Sequence, residues 1–168
     1  AFTLSDYVAE MVAGGYPGLR ALDDRALVRQ LDSYLERLAD HDLPEAGFAV
    51  RRPATVMAWL RAYAAATGTT ASWEKIRTSA VVSLDAHPSR TSTQPYIELL
   101  TALRILDPVP AWVPSGNHLG VLGQAPCHYL ADPALAARLV RRSATRLLRG
   151  EAPESVQPRD GGFPGGLV

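Results

Sequence analysis

The stretch PSRTSTQPYIELLTALRILDPVPAW, residues 88–112, decides how the rest of the chain is read. Within it, Tyr96, Leu99, Leu100, Leu103 and Leu106 recur at steps of three and four, which places them on one face of a helix. Burying a large apolar side chain is worth about 1.5–3 kcal/mol, so this face predicts a core contact. Asp107-Pro108 predicts the helix end, because a residue preceding proline is pushed out of the α region. The opposite face carries Arg90, Thr91, Thr93, Gln94, Thr101 and Arg104, all hydrogen-bond donors. A polar-faced helix followed by a hairpin is the arrangement a winged-helix DNA reader uses for recognition.

Working outward, the same periodicity predicts further helices. Leu4, Tyr7, Val8, Met11 and Val12 form the apolar side of the first, which Gly14-Gly15 ends. Asp23-Asp24 opens a second with the stripe Leu27, Leu31, Tyr34, Leu35 and Leu38, and residues 40–52 read as a loop. Pro53 suits the first turn of a third helix, buried through Val56, Met57, Leu60 and Tyr63, with Trp59 and Arg61 off the stripe. A fourth starts at Ser72, turning Trp73, Ile76 and Ala80 inward and Lys75 and Arg77 outward. Beyond the 88–112 stretch, residues 109–113 read as a strand confined to an edge by prolines. Residues 115–117 read as a turn, 119–122 as a return strand and 127–131 as a short strand. Asp132-Pro133 then caps a last helix, with Leu135, Leu139 and Leu147 inside and Arg138, Arg141, Arg142, Arg146 and Arg149 outside. The expected fold is mainly α: a helical segment over 1–50, a winged-helix-like unit with a small β hairpin over 51–150, and a linker or tail over 151–168.

Formal charge is zero overall but unevenly placed. Residues 1–50 carry a net −5, residues 51–150 a net +7, and residues 151–168 a net −2. The positive central part favours a polyanion and the acidic first part repels one. No run approaches the ~20 apolar residues that a membrane helix requires. The lone Cys127 excludes an internal disulfide and fits a reducing compartment, so the expected location is cytoplasmic.

Chemistry-bearing residues are sparse. Cys127 and His128 are adjacent, and neighbours on a strand face opposite sides, so they make no nucleophile–base pair. His41, His87, His118 and His128 lack metal-ligand spacing. Asp132 reads as a helix cap, not a catalytic acid. These features predict no catalysis, no metal and no cofactor in this chain. The predicted contact residues are Arg90, Thr93, Gln94, Arg104, Lys75 and Arg77 for nucleic acid. Arg138, Arg141, Arg142 and Arg146 form a second stripe on the last helix, read either as a solvated face or as a phosphate-binding surface.

Several stretches together resemble bacterial ATP-binding proteins that join an AAA-type ATPase core to a C-terminal half of undefined role. They are GGYPGLR (14–20), LDSYLERLADHDLPEAG (31–47), TTASWEKI (69–76), RTSTQPYIELLTALRILDPVPAW (90–112) and CHYLADPALAARLV (127–140). The resemblance implies the central to C-terminal part of such a protein, truncated at both ends, with the last stretch matching a Lys-x-Tyr-x-x-Asp-x-Gly-Leu-Ala box. Here the lysine is replaced by Cys127 or its neighbour and the glycine by Ala134. The P-loop G-x-x-x-x-G-K-[ST] is missing and Lys75 is the only lysine, so ATP hydrolysis is not expected of this chain. The expected function is a non-catalytic winged-helix module contacting DNA. The alternative is a docking module that couples the ATPase core to another domain or a partner chain without DNA.

Overall fold

The computed structural model describes residues 1–47, 53–80, 87–112 and 125–150. Within them the chain is mainly helical, as its periodicity predicts. Helix α1 spans Leu4–Ala13, α2 Asp24–Arg37, α3 Leu43–Glu45, α4 Pro53–Ala65, α5 Trp73–Ser79, α6 Arg90–Ala102, α7 Pro133–Leu139 and α8 Ala144–Leu148. Side-chain caps begin most of them. Thr3 and Asp6 form a reciprocal capping box on α1, and Asp23, Ser72, Asp132 and Ser143 cap α2, α5, α7 and α8.

Residues 40–45 are helical and not part of the predicted loop. After α2 the chain makes a π turn over Leu38–Asp42 and runs directly into α3. The Leu43 N–H reaches back to the Leu38 carbonyl, one residue further than an α-helix allows. This wider turn puts Leu43, rather than Asp42, beneath Leu38, and both leucines are fully buried. Pro44 does not interrupt this course, because a proline is tolerated in the first turn of the short helix α3.

The core gathers around α4. Val56, Trp59, Leu60 and Tyr63 are inaccessible to solvent, so Trp59 is central and not off the buried stripe as its spacing suggests. Much of the rest of α4 is alanine, and a helix apolar on nearly every side can be packed on nearly every side. Trp59 stacks on Tyr63 at 5.4 Å between ring centroids, and Trp73 of α5 closes on Tyr63 at 5.8 Å. The buried His128 ring meets Trp73 edge-on at 4.5 Å. Its Nε2 lies 2.8 Å from the Ala71 carbonyl, and its backbone is tied to Gly68 and Thr69. His128 is therefore a structural member of the core.

Helix α6 stops at Ala102, four residues before Leu106, by a device the sequence hides. Arg104 takes the left-handed conformation at φ +57°. Its N–H bonds the Thr101 carbonyl at 3.0 Å, and the Ile105 N–H bonds that of Leu100 at 2.9 Å. These paired bonds make a Schellman stop with the buried Ile105 packed beyond it, and its left-handed position, here Arg104, is usually held by glycine. Tyr96, Leu100 and Leu106 are buried as expected, whereas Leu103 falls in the turn and is 39% exposed. The predicted single last helix is divided in the same way. Arg141 sits at φ +55°, with its N–H on Arg138 O and the Arg142 N–H on Ala137 O. A non-glycine residue in this region costs roughly 1–2 kcal/mol. Because glycine is looser in the unfolded chain, Arg104→Gly is expected to stabilise the protein by a net ~0.5–1 kcal/mol. Urea unfolding of the variant checks this, and a loss of stability would contradict it.

The β content lies between segments 106–109 and 127–130. Antiparallel bridges join Leu106 to Leu130 and Val109 to Cys127. In this register Leu106, Leu130 and His128 point into the core, while Asp107, Val109 and Tyr129 face outward. Val109 thus pairs with the segment predicted as the last short strand. The predicted turn at 115–117, the return strand at 119–122 and the tail from 151 lie outside the described residues.

Helix α1 reaches α7 and α8 through the Gly14-Gly15 turn. Gly14 adopts φ +70° and ψ −175°, a region essentially reserved for glycine. The Gly15 N–H donates to Asp132 Oδ2 at 2.7 Å, while Asp132 Oδ1 accepts from the Ala134 N–H at 2.7 Å. One buried carboxylate thus caps α7 and holds the end of α1. Arg20 adds a bond to the Gly14 carbonyl at 2.7 Å. Of the apolar residues assigned to the inner side of α1, only Val8 is fully buried; Leu4 and Tyr7 are exposed.

Candidate functional site

Two basic regions bear on function. The first is the corner of α5 and the start of α6. Glu74 pairs tightly with Arg77 of its own helix and lies 3.6 Å from the Arg90 guanidinium on α6. The Arg77 pairing lowers the Glu74 carboxyl below its ordinary range. Arg77 Nη1 also donates to the Pro88 carbonyl at 2.7 Å, stitching the approach to α6 onto α5. Lys75 stands exposed beside them. Two cations, Arg77 and Arg90, therefore share one carboxylate.

Of the remaining predicted contact residues, Gln94 is exposed one turn after Arg90, whereas Thr93 and Arg104 do not join the group. Thr93 is buried and its hydroxyl donates to the Arg90 carbonyl at 3.1 Å, so it does not belong to the outer face. It lies one turn from Tyr96 and shares that residue's inward side. The Gln94 amide donates to Glu98 at 3.0 Å. Arg104 is exposed but lies beyond the far end of α6.

The second region replaces the predicted arginine stripe. The left-handed break at Arg141 separates α7 from α8, so the arginines do not share one helix face. Arg142 is only 8% exposed and follows the break as its buried anchor, which removes it from any outer face. Arg146 lies partly buried on α8. Arg138 faces α2, where its Nε and Nη2 grip the two oxygens of Asp32 at 2.5 and 2.7 Å. This two-point contact raises the Arg138 pKa further.

Beside that pair, α2, α4, α7 and the turn after it border a half-open cleft of about 390 Å³. Arg61 of α4 and Arg141 line it, together with Arg138, Asp32 and Glu36. Met57 and Leu139 contribute apolar wall. Arg61 and Asp32 could not have been assigned from the sequence, because Asp32 lies 106 residues from Arg138 and no motif links them. The only signal was that Arg61 departs from the buried stripe of its helix.

Elsewhere, His41, Asp42 and Glu45 offer ligand atoms within 4.8 Å of one another, an arrangement produced by the π turn. They lie at the surface, and Asp42 and Glu45 already face Arg37 and His41 at 3.4 Å each. Among the described residues no helix is long and apolar enough to cross a membrane. Tyr16 and Tyr63 are shielded from solvent, which pushes both phenols well above their ordinary range. The unfolded chain ionises near pH 10 while the folded chain keeps these protons, so their stabilisation is complete below that pH. Stability is therefore expected to fall as pH rises above about 10, and less steeply in Tyr63→Phe, as followed by urea unfolding.

The match to known families overturns the expected link with AAA-type ATP-binding proteins. The family model that fits this chain over residues 4–156 is a different one, and it carries no ATPase assignment. No curated protein and no solved structure matches the chain. The motifs behind the apparent likeness have local causes here. GGYPGLR is the glycine turn that docks on Asp132, and CHYLADPALAARLV is a bridged segment leading into a capped helix. Turns and caps of this kind are required by backbone geometry and recur in unrelated folds. From residue 4 to residue 156 the chain belongs to the family described as Domain of unknown function (DUF8612).

Proposed function

We propose that this chain is a non-catalytic binding module whose α5–α6 corner contacts the phosphate backbone of DNA. In this reading α4, α5 and α6, with the bridged segments 106–109 and 127–130, serve as a winged-helix-like unit. The observation that carries it is the sharing of the single carboxylate of Glu74 by Arg77 and Arg90, with Lys75 exposed on the same short helix. Contact through guanidinium and ammonium groups positions a protein on a duplex without reading bases. Thr93 and Gln94 are committed to internal bonds, so the proposed binding is independent of DNA sequence.

Such binding is expected in the ~10⁻⁴–10⁻⁶ M range, and neutralising three phosphates predicts a log–log salt slope of about −2.7. Lys75→Ala combined with Arg90→Ala should bring that slope towards about −0.9, as followed by fluorescence anisotropy of a labelled duplex. Arg77 is spared because it also holds Pro88 in place. Absence of binding at low salt, or an unchanged slope in the double variant, would sink the reading. A protein-docking role without DNA is the second reading. It is favoured by exposed apolar side chains, Val109 and Tyr129 on the bridged segments and Trp112 just past the first of them, the last 83% exposed.

A further inference from the structure

The cleft between α2, α4 and α7 has a charge pattern that the DNA reading does not use. Asp32 is spent on Arg138, each of its oxygens receiving one guanidinium N–H. That pair is internally neutral. Arg61 and Arg141 have no carboxylate partner among the described residues, and Glu36 is the one other acid lining the cleft. The cleft therefore retains one net positive charge, carried on two guanidinium groups, one on α4 and one in the turn after α7. An arginine is well suited to a two-oxygen head group, because its N–H donors form a planar fork. Met57 and Ala54 supply the cleft's accessible apolar surface, whereas Leu35 and Leu139 line it almost wholly buried. A volume of about 390 Å³ corresponds to roughly a dozen waters at ~30 Å³ each. This is within the range of ~300–1,000 Å³ typical of small-molecule sites.

Arg141 is placed there by the left-handed stop after α7, with the buried Arg142 securing the turn behind it. Glycine would make that stop at lower cost, but it would bring no guanidinium to the cleft. Arg104 shows that strain of this kind also occurs where it lines no such cleft, so the convergence with Arg61 and Arg138 carries the argument.

We infer that this cleft binds a small organic anion, with its carboxylate or phosphate head on Arg61 and Arg141 and its apolar body against Met57 and Ala54. The Asp32–Arg138 pair forms the fixed side of the site. No residue of the α5–α6 corner takes part, so this site stands or falls independently of DNA contact.

The test is calorimetric titration of the full chain at constant ionic strength with hexanoate, phenyl phosphate and inorganic phosphate. Saturable millimolar or tighter binding is expected for at least one organic anion, with inorganic phosphate weaker because it leaves the apolar wall uncovered. The tighter of the two organic probes assigns the head group. Arg61→Gln and Arg141→Gly should each weaken binding by about tenfold or more. Arg141→Gly also relieves the left-handed strain, so its melting temperature should rise by about 1–4 °C while affinity falls. A misfolded variant cannot produce that combination. The inference is overturned if neither organic anion saturates, if inorganic phosphate binds as tightly as both, or if folded Arg61→Gln and Arg141→Gly bind like the parent.

Discussion

Trp59→Ala is expected to lower the free energy of unfolding by about 3–5 kcal/mol, the largest effect of any single truncation proposed here. The indole is completely buried on α4 and faces two other rings, Tyr63 at 5.4 Å and Trp73 at 6.5 Å. Its removal takes away the transfer energy of a large side chain and leaves a cavity that stiff aromatic neighbours fill poorly. Against a total stability of about 5–15 kcal/mol for a typical domain, the variant should be marginally folded at room temperature. Urea unfolding followed by far-ultraviolet circular dichroism is the suitable measurement, since fluorescence would change with loss of the indole itself. Trp59→Phe, which keeps a ring in the stack, should recover a large part of the loss. A cost below about 1.5 kcal/mol for Trp59→Ala would show that the aromatic group is not the centre of the core.

Gly14→Ala is expected to cost about 2–4 kcal/mol, although the change adds a single methyl group. Two separate penalties meet at this position. The backbone lies at φ +70° and ψ −175°, where any Cβ is strained. A Cβ built there would also come within 2.6 Å of Asp132 Oδ1 and 2.8 Å of Ala134 Cβ. To relieve the contact, the Asp132 carboxylate would have to leave the Ala134 N–H, the Gly15 N–H or both. The α7 cap and the attachment of α1 would then weaken together. Removing the carboxylate first should soften the effect, so Gly14→Ala is expected to cost about 1 kcal/mol less in an Asp132→Ala background. Additive costs in that double-mutant cycle would mean that the turn does not bear on Asp132.

Both sites show how far a one-dimensional reading reaches. The spacing of Leu27, Leu31 and Leu35, and of Tyr96 and Leu100, identified inner faces that are buried. Asp132 before Pro133 identified a real helix start. These features depend on neighbours within about one turn, where backbone geometry links sequence directly to structure. Trp59 escaped the same reasoning because it lies on a helix packed on several sides, where periodicity no longer distinguishes inside from outside. The stops at Arg104 and Arg141 escaped it because arginine gives no local sign of a left-handed residue.

The amino-acid sequence by itself determined that the described chain is mainly helical, where several helices begin and which leucines are turned inward. It could also divide the charge into an acidic first part and a basic centre. It could not say which basic residues act together. Only the tertiary structure withdrew Thr93 into the interior, paired Arg138 with Asp32 across 106 residues and left Arg61 beside Arg141 in a cleft. The physical reason is range. Helix periodicity and capping act over a few residues, whereas the partner of a charge is chosen by the packing of helices remote in the chain.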